Sequence, residues 1–179
     1  MFRLRSLASK FYELCYFALY GGVVFARYKG VDVGSSCRIY IRSWGSEPFL
    51  IRIGNKVTIT SGVRFLTHDG ATWLIHDDRG SRFQKYGRIS IGDNVFVGVN
   101  SLLMPGITVG ARSVVAAGSV VTKDVPTGSV VAGNPAKVIM SFDDYSAKVK
   151  SLCVCDSDIG KDLPYEDRVE KFLDLQENQ

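Results

Sequence analysis

Histidine is nearly absent from this chain: His68 and His76 are the two in 179 residues. Two imidazoles exclude a zinc centre that needs three. Proline is scarce as well, five residues against eighteen glycines, so the glycines serve repeated turns rather than a disordered linker. The four cysteines, Cys15, Cys37, Cys153 and Cys155, form no regular framework. Cys153 and Cys155 stand one residue closer than a zinc hook and have no histidine nearby, so all four read as free thiols. The longest apolar stretch falls short of the roughly 20 residues that span a bilayer. Nothing at the N-terminus reads as a cleavable secretory signal, so a reducing cytoplasm is the expected location. A net charge of +4 is too small to argue for nucleic acid.

What is present suits one domain with a substantial core: 46% of residues are hydrophobic and 22% charged. The charge is unevenly placed. Residues 1–140 carry 17 basic and 8 acidic side chains, whereas 141–179 carry 5 and 10. A basic body suits an anionic small molecule or a phosphorylated carrier, although the same charges also serve simply as a solvated surface.

The middle of the chain repeats every six residues. Ile91, Val97, Leu103, Val109, Val115 and Val121 form an aliphatic ladder, and the next residue is small at Gly92, Gly98, Gly110 and Ala116. A second row, Val95, Ser101, Ile107, Ser113, Ser119 and Val125, follows four residues behind. Upstream, Ile53, Ile59 and Phe65 repeat the pattern with Val57 and Val63, and Val33 and Ile39 begin it. Neither helical periodicity nor simple alternation fits. A short repeat of this kind makes a solenoid whose units bury their faces against neighbours. Three hexapeptides make one triangular coil, with the ladder pointing inward and the small residue after it expected to turn the corner. The expected class is all-β, a parallel β-helix with helical additions at both ends.

The period breaks twice. Two extra residues fall between Ile39 and Ile53, so residues 43–48 are expected to bulge outward. A polar excursion separates Phe65 from Ile91, and the extended loop over 70–88 is expected on the working face. Residues 1–30 read as an apolar helical segment. In it Leu4, Leu7, Phe11, Leu14 and Ala18 share a stripe, Gly21-Gly22 ends or kinks the helix, and Arg3, Arg5, Lys10, Arg27 and Lys29 flank it. The helix, over residues 2–26, either packs under the first coil or against another subunit, or lies along an anionic membrane surface. Residues 31–140 form the expected catalytic domain. Residues 141–179 are expected to be a helical extension, with helix starting from Val138 and again over 164–175.

Residues 91–139, from Ile-Gly-Asp-Asn-Val-Phe-Val-Gly to Ala-Gly-Asn-Pro-Ala-Lys-Val-Ile, resemble the hexapeptide-repeat acyltransferases, in the branch of galactoside, maltose, xenobiotic and surface-polysaccharide acetyltransferases. The resemblance covers residues 31–140. It implies a left-handed β-helix, a homotrimer, and acetyl-CoA lying between two prisms. It also places a catalytic histidine at His68, within Phe65-Leu66-Thr67-His68-Asp69. Chemistry selects the same residue, because attack on a thioester needs a base that titrates near neutral pH and the rigid coil edge holds His68 better than mid-loop His76. Asp69 either orients the imidazole or caps the loop; Asp77 or Asp78 is a further candidate for orienting His68 or the acceptor sugar. By the resemblance, Gly98 and Ala117 line the pantetheine track, Thr122 and Lys123 meet the far end of CoA, and Lys137 meets its phosphates. Phe96, Val99 and Met140 depart from the family's usual tryptophan, serine and basic residue, and Arg112 is a candidate to replace the lost charge.

The implied activity is acetyl transfer to a sugar hydroxyl or amine in surface polysaccharide synthesis, with a free, nucleotide-linked or lipid-linked sugar as acceptor. Two alternatives stand beside it: acetylation of a small xenobiotic, and a non-enzymatic β-helix scaffold. The zinc chemistry of γ-class carbonic anhydrases needs three histidines and falls with the count of two.

Overall fold

A computed structural model describes residues 2–159 and 163–177, with side chains from residue 8 onward apart from those of Asp158 and Glu177. The chain divides into two compact units, Met1–Ser141 and Phe142–Gln179. In the first, the hexapeptides wind as successive coils. β1 (Asp32–Val33) and β2 (Arg38–Ile39) form the first coil, and β3 (Ile51–Ile53), β4 (Thr58–Ile59) and β5 (Arg64–Phe65) the second. After the long excursion come β6 (Ile89–Ile91), β7 (Phe96–Val97) and β8 (Leu102–Leu103), then β9 (Thr108–Val109), β10 (Val114–Val115) and β11 (Val120–Val121). β12 (Ser129–Gly133) and β13 (Ala136–Ser141) close the unit.

Pairing assembles three parallel faces. Face A stacks β1, β3, β6 and β9; face B stacks β2, β4, β7, β10 and β12; face C stacks β5, β8 and β11. The chain therefore visits A, B and C in rotation, as a coil of three hexapeptides requires. The register is that of the ladder: Phe65 lies beside Leu103, and Leu103 beside Val121. Every ladder residue from Ile53 to Val121 is at most 3% exposed, and the second row is buried with it. Its serines are satisfied inside: Ser101 Oγ donates to Ala116 O at 3.0 Å, and Ser113 Oγ donates to Pro126 O at 3.0 Å.

The corner turns at a different residue from the one expected. The left-handed backbone falls three positions after most ladder residues, at Ser36, Lys56, Asn94, Asn100 and Arg112, and at Gly62, Gly106 and Gly118. The residue directly after the ladder is small for another reason. A Cβ on Gly98 would sit 2.5 Å from Ala117 N, and one on Gly92 would sit 2.7 Å from Ala111 N. Stacking, not turning, selects these glycines.

α1 (Phe2–Tyr28) breaks at Gly21, which has φ 77° and ψ 171°. Glu13 and Lys29 nonetheless make a 2.9 Å ion pair. Sixteen residues of straight helix would separate them by ~24 Å, so α1 doubles back at Gly21. Its second limb seals the first coil, with Phe25 and Ala26 fully buried and Arg27 donating to Val33 O and Gly34 O at 2.8 and 2.7 Å. The expected stripe does not do this work: Phe11, Leu14 and Ala18 are exposed, while Tyr16 and Phe17 pack against the core. Leu4 and Leu7 lie outside the described side chains. Among the described residues no helix is long and apolar enough to cross a membrane.

At the other end, the helix expected from Val138 is strand. β13 turns back after the cis Asn134-Pro135 bond and runs antiparallel to β12, because the last coil otherwise leaves a row of unpaired backbone groups. The second unit holds α2 (Phe142–Leu152) and α3 (Tyr165–Glu177), each with two acids in its first turn, where the helix dipole favours them. All-β thus describes the coils, and the described residues form three α-helices besides.

Candidate active site

Two breaks in the repeat meet at one corner. The bulge after the first coil begins with Trp44, which does not project outward as expected. It is 1% exposed and stacks on Phe65 with ring centroids 5.3 Å apart. The buried indole anchors the segment and sends Glu47 back over the next coil. There Glu47 Oε2 accepts from Thr67 Oγ1 at 2.6 Å and from His68 Nδ1–H at 2.9 Å. The Thr67 hydroxyl holds the Glu47 carboxyl below its ordinary value, and His68 adds to this against the opposing cost of partial burial. An ionised carboxylate only accepts, so the proton of a neutral His68 sits on Nδ1 and Nε2 is left with its lone pair.

The excursion after His68 is a ribbon. His68 bridges Tyr86, His76 bridges Arg82, Asp69 N–H donates to Lys85 O at 3.0 Å, and Gly87 N–H donates to Thr67 O at 2.8 Å. Asp69 takes the capping role of its two expected alternatives: Oδ1 accepts from Ala71 N–H at 3.0 Å and starts the 3-10 turn Gly70–Leu74. The acid bonded to the imidazole is Glu47. Asp77 closes the ribbon's tip, accepting from the N–H groups of Arg79 and Ser81, and His76 and Asp78 are exposed there.

Two cavities share His68. The larger, about 350 Å³, lies under the ribbon, with Glu47, Trp73, Arg82, Phe83 and Tyr86 in its wall. The other, about 300 Å³, runs along the prism past Leu66, Met104 and Thr122, and Lys85 borders both. Leu66, Met104 and Thr122 follow the stacked ladder residues Phe65, Leu103 and Val121, so they form a track up the corner between faces C and A. His68 therefore divides a loop-covered chamber from a channel along the coils.

The remaining expected positions are spread over the prism. Thr122 and Lys123 lie on the His68 corner and are exposed. Gly98 and Ala117 lie together on the corner between faces B and C. The Gly98 N–H is committed to Val115 O at 2.8 Å, whereas among the described residues no acceptor meets the Ala117 N–H. Lys137 is exposed on β13, opposite Ala132.

Known proteins resemble this chain in sequence and in fold. Residues 88–123 match the family described as the hexapeptide repeat of succinyl-transferase. Protein CapG of Staphylococcus aureus is 47% identical over 142 residues, which is 78% of this chain and 80% of that protein. The chain belongs to the hexapeptide-repeat acyltransferases. A maltose O-acetyltransferase from Clostridium difficile 630 superposes with TM-score 0.52 at 31% identity, over 63% of this chain and 59% of that one. A hexapeptide-repeat-containing acetyltransferase from Vibrio cholerae gives 0.51 at 32% identity, over 64% of each. The chain thus spans less than two thirds of either solved protein. As a member of the family it is an acyltransferase.

Proposed function

We propose that this acyltransferase moves acetyl from acetyl-CoA to a sugar hydroxyl or amine, with His68 as general base and Glu47 as its positioning residue. One observation carries the reading: a single imidazole, held by a carboxylate through Nδ1, stands where two cavities meet. The acceptor enters the chamber under the ribbon and the thioester comes along the channel past Met104 and Thr122. His68 Nε2 takes the acceptor proton as the oxygen or nitrogen attacks the thioester carbonyl. The tetrahedral intermediate then expels the CoA thiolate, and the imidazolium returns the proton to that sulfur. Glu47 stabilises the transient imidazolium and keeps the ring in the productive tautomer.

The expected cofactor contacts fit two prisms better than one. Gly98 and Ala117 face one corner, His68 and Thr122 the next, and a CoA that touches both sets lies between neighbouring copies. A homotrimer of left-handed coils satisfies this: the Ala117 N–H of one copy meets the pantetheine, while Thr122 and Lys123 of the next meet its far end and Lys137 its phosphates. The domain reading follows, with 31–140 as the catalytic body. Asp69 serves that body by fixing the start of the ribbon. The sugar acceptor is supported by the likeness to a maltose O-acetyltransferase. Surface polysaccharide precursors, whether nucleotide-linked or lipid-linked, are the acceptor class we favour. Exposed Phe11, Leu14, Leu19 and Tyr20 on the first limb of α1 would meet either another subunit or the inner membrane surface on the cytoplasmic side.

Thiol release from acetyl-CoA across a panel of sugar acceptors tests the reading. His68→Ala should lower kcat by ~10²–10⁴-fold, the usual contribution of a general base, with acetyl-CoA still raising the melting temperature. Wild-type turnover in His68→Ala would end the assignment.

A further inference from the structure

The larger cavity holds an imbalance of charge that the chemistry above leaves unused. Its two acids are both engaged: Glu47 accepts from Thr67 and His68, and Asp69 accepts from Ala71 N–H. Its two cations are not neutralised. Among the described residues no carboxylate forms an ion pair with Arg82 or Lys85. Arg82 is placed rather than loose, with its guanidinium carbon 5.0 Å from the centroid of the Trp73 ring and its backbone bridged to His76. Lys85 is fixed at its backbone by the bond from Asp69 N–H. Three rings, Trp73, Phe83 and Tyr86, complete the wall, and Tyr86 lies 6.0 Å from the His68 ring between centroids.

Aromatic faces pack against the C–H faces of a pyranose, and guanidinium and ammonium groups bind carboxylates and phosphates through charge-assisted hydrogen bonds. From this pairing we infer that the ribbon builds a subsite for an anionic sugar, whose carboxylate or phosphate is held by Arg82 and Lys85 while its ring lies on Trp73 and Tyr86. The inference rests on the acceptor reading of this cavity and narrows it from sugars in general to negatively charged ones. Both cations stand on the return strand of the ribbon, whose Tyr86 is bridged to His68.

The chain has two tryptophans, and Trp44 is buried while Trp73 is 61% exposed, so Trp73 emission reports on this wall. The wild-type chain is titrated with three ligands in both the gluco and galacto series: the neutral hexose, its uronate and its 1-phosphate. Tryptophan emission and melting temperature are read together. A charged sugar should bind about tenfold or more tightly than its neutral parent, as one charge-assisted bond implies. Preference for the uronate alone assigns a uronic acid, for the 1-phosphate alone a sugar phosphate or nucleotide sugar, and for both the charge itself. In Arg82→Gln and Lys85→Gln the ratio of charged to neutral affinity should fall toward one, a quantity internal to each variant. Charged sugars that bind no tighter than neutral ones, or a preference that survives both substitutions, would overturn the subsite. Failure of acetyl-CoA to stabilise the wild-type chain would instead count against acyl transfer and leave the charge preference standing as a separate result.

Discussion

Glu47 is the residue on which the site turns, and its behaviour with pH follows from its environment. Its carboxyl is held below the ordinary value by Thr67 first and His68 second. A depressed folded-state value gives stabilisation that is complete above the ordinary carboxylate range and is lost as pH falls through the lowered value. The melting temperature of the wild type should therefore exceed that of Glu47→Ala above the ordinary carboxylate range, and the margin should close as pH falls through the lowered value. A margin that stays open in strong acid would contradict the assignment. Catalysis gives a sharper readout. Glu47→Gln presents an amide that can donate to Nδ1 and so favours the wrong tautomer, which should lower kcat by about 10²-fold or more with little change in acetyl-CoA KM. His68 was legible from sequence because the chain has so few histidines and one falls at a coil edge. Glu47 was not, since its bond to His68 spans 21 residues and depends on Trp44 turning inward. The two-residue slip in the repeat marked the segment but not its direction.

At the scale of the element, the coils are governed by close contact. Leu103 is fully buried at the centre of face C, and Leu103→Ala should cost about 2–5 kcal/mol in denaturant titration. Gly98→Ala tests the stacking explanation for the small residues. Its Cβ would meet the backbone of Ala117, so a loss of about 1–3 kcal/mol is expected even though its φ suits any residue. A neutral effect would return Gly98 to the role of a turn residue. The ladder was plain in the sequence because burial imposes one residue type at one spacing. The corner was misplaced by two positions because both features, small and turning, recur with the same period. A helix is expected from Val138 because residues 138–141 carry no pattern that separates helix from strand. The open edge of β12 decides it, and that edge exists only once the last coil is in place.

At the scale of the whole molecule, the account needs side-by-side prisms. The isolated chain leaves Phe11, Leu19 and Tyr20 exposed on α1, and divides the expected CoA contacts between two corners. If neighbouring copies share each site, inactive His68→Ala and inactive Ala117→Arg chains should regain thiol release when they are unfolded and refolded together, since one interface then joins an intact base to an intact track. Absence of recovery from co-refolded mixtures would place the whole site within one chain. Neither the pairing of corners nor the cover over α1 is visible in the sequence, because both depend on how finished rods pack.

The most direct test uses the scarcity of histidine. Labelling with ¹⁵N-histidine gives two imidazoles to follow, and His76→Asn assigns them. The measurement is the pH dependence of kcat/KM for thiol release set against the imidazole titration in the same protein. The account predicts that the acid limb of the rate profile coincides with protonation of His68, and that neutral His68 carries its proton on Nδ1. An acid limb that ignores His68, or a neutral ring protonated on Nε2, would contradict it.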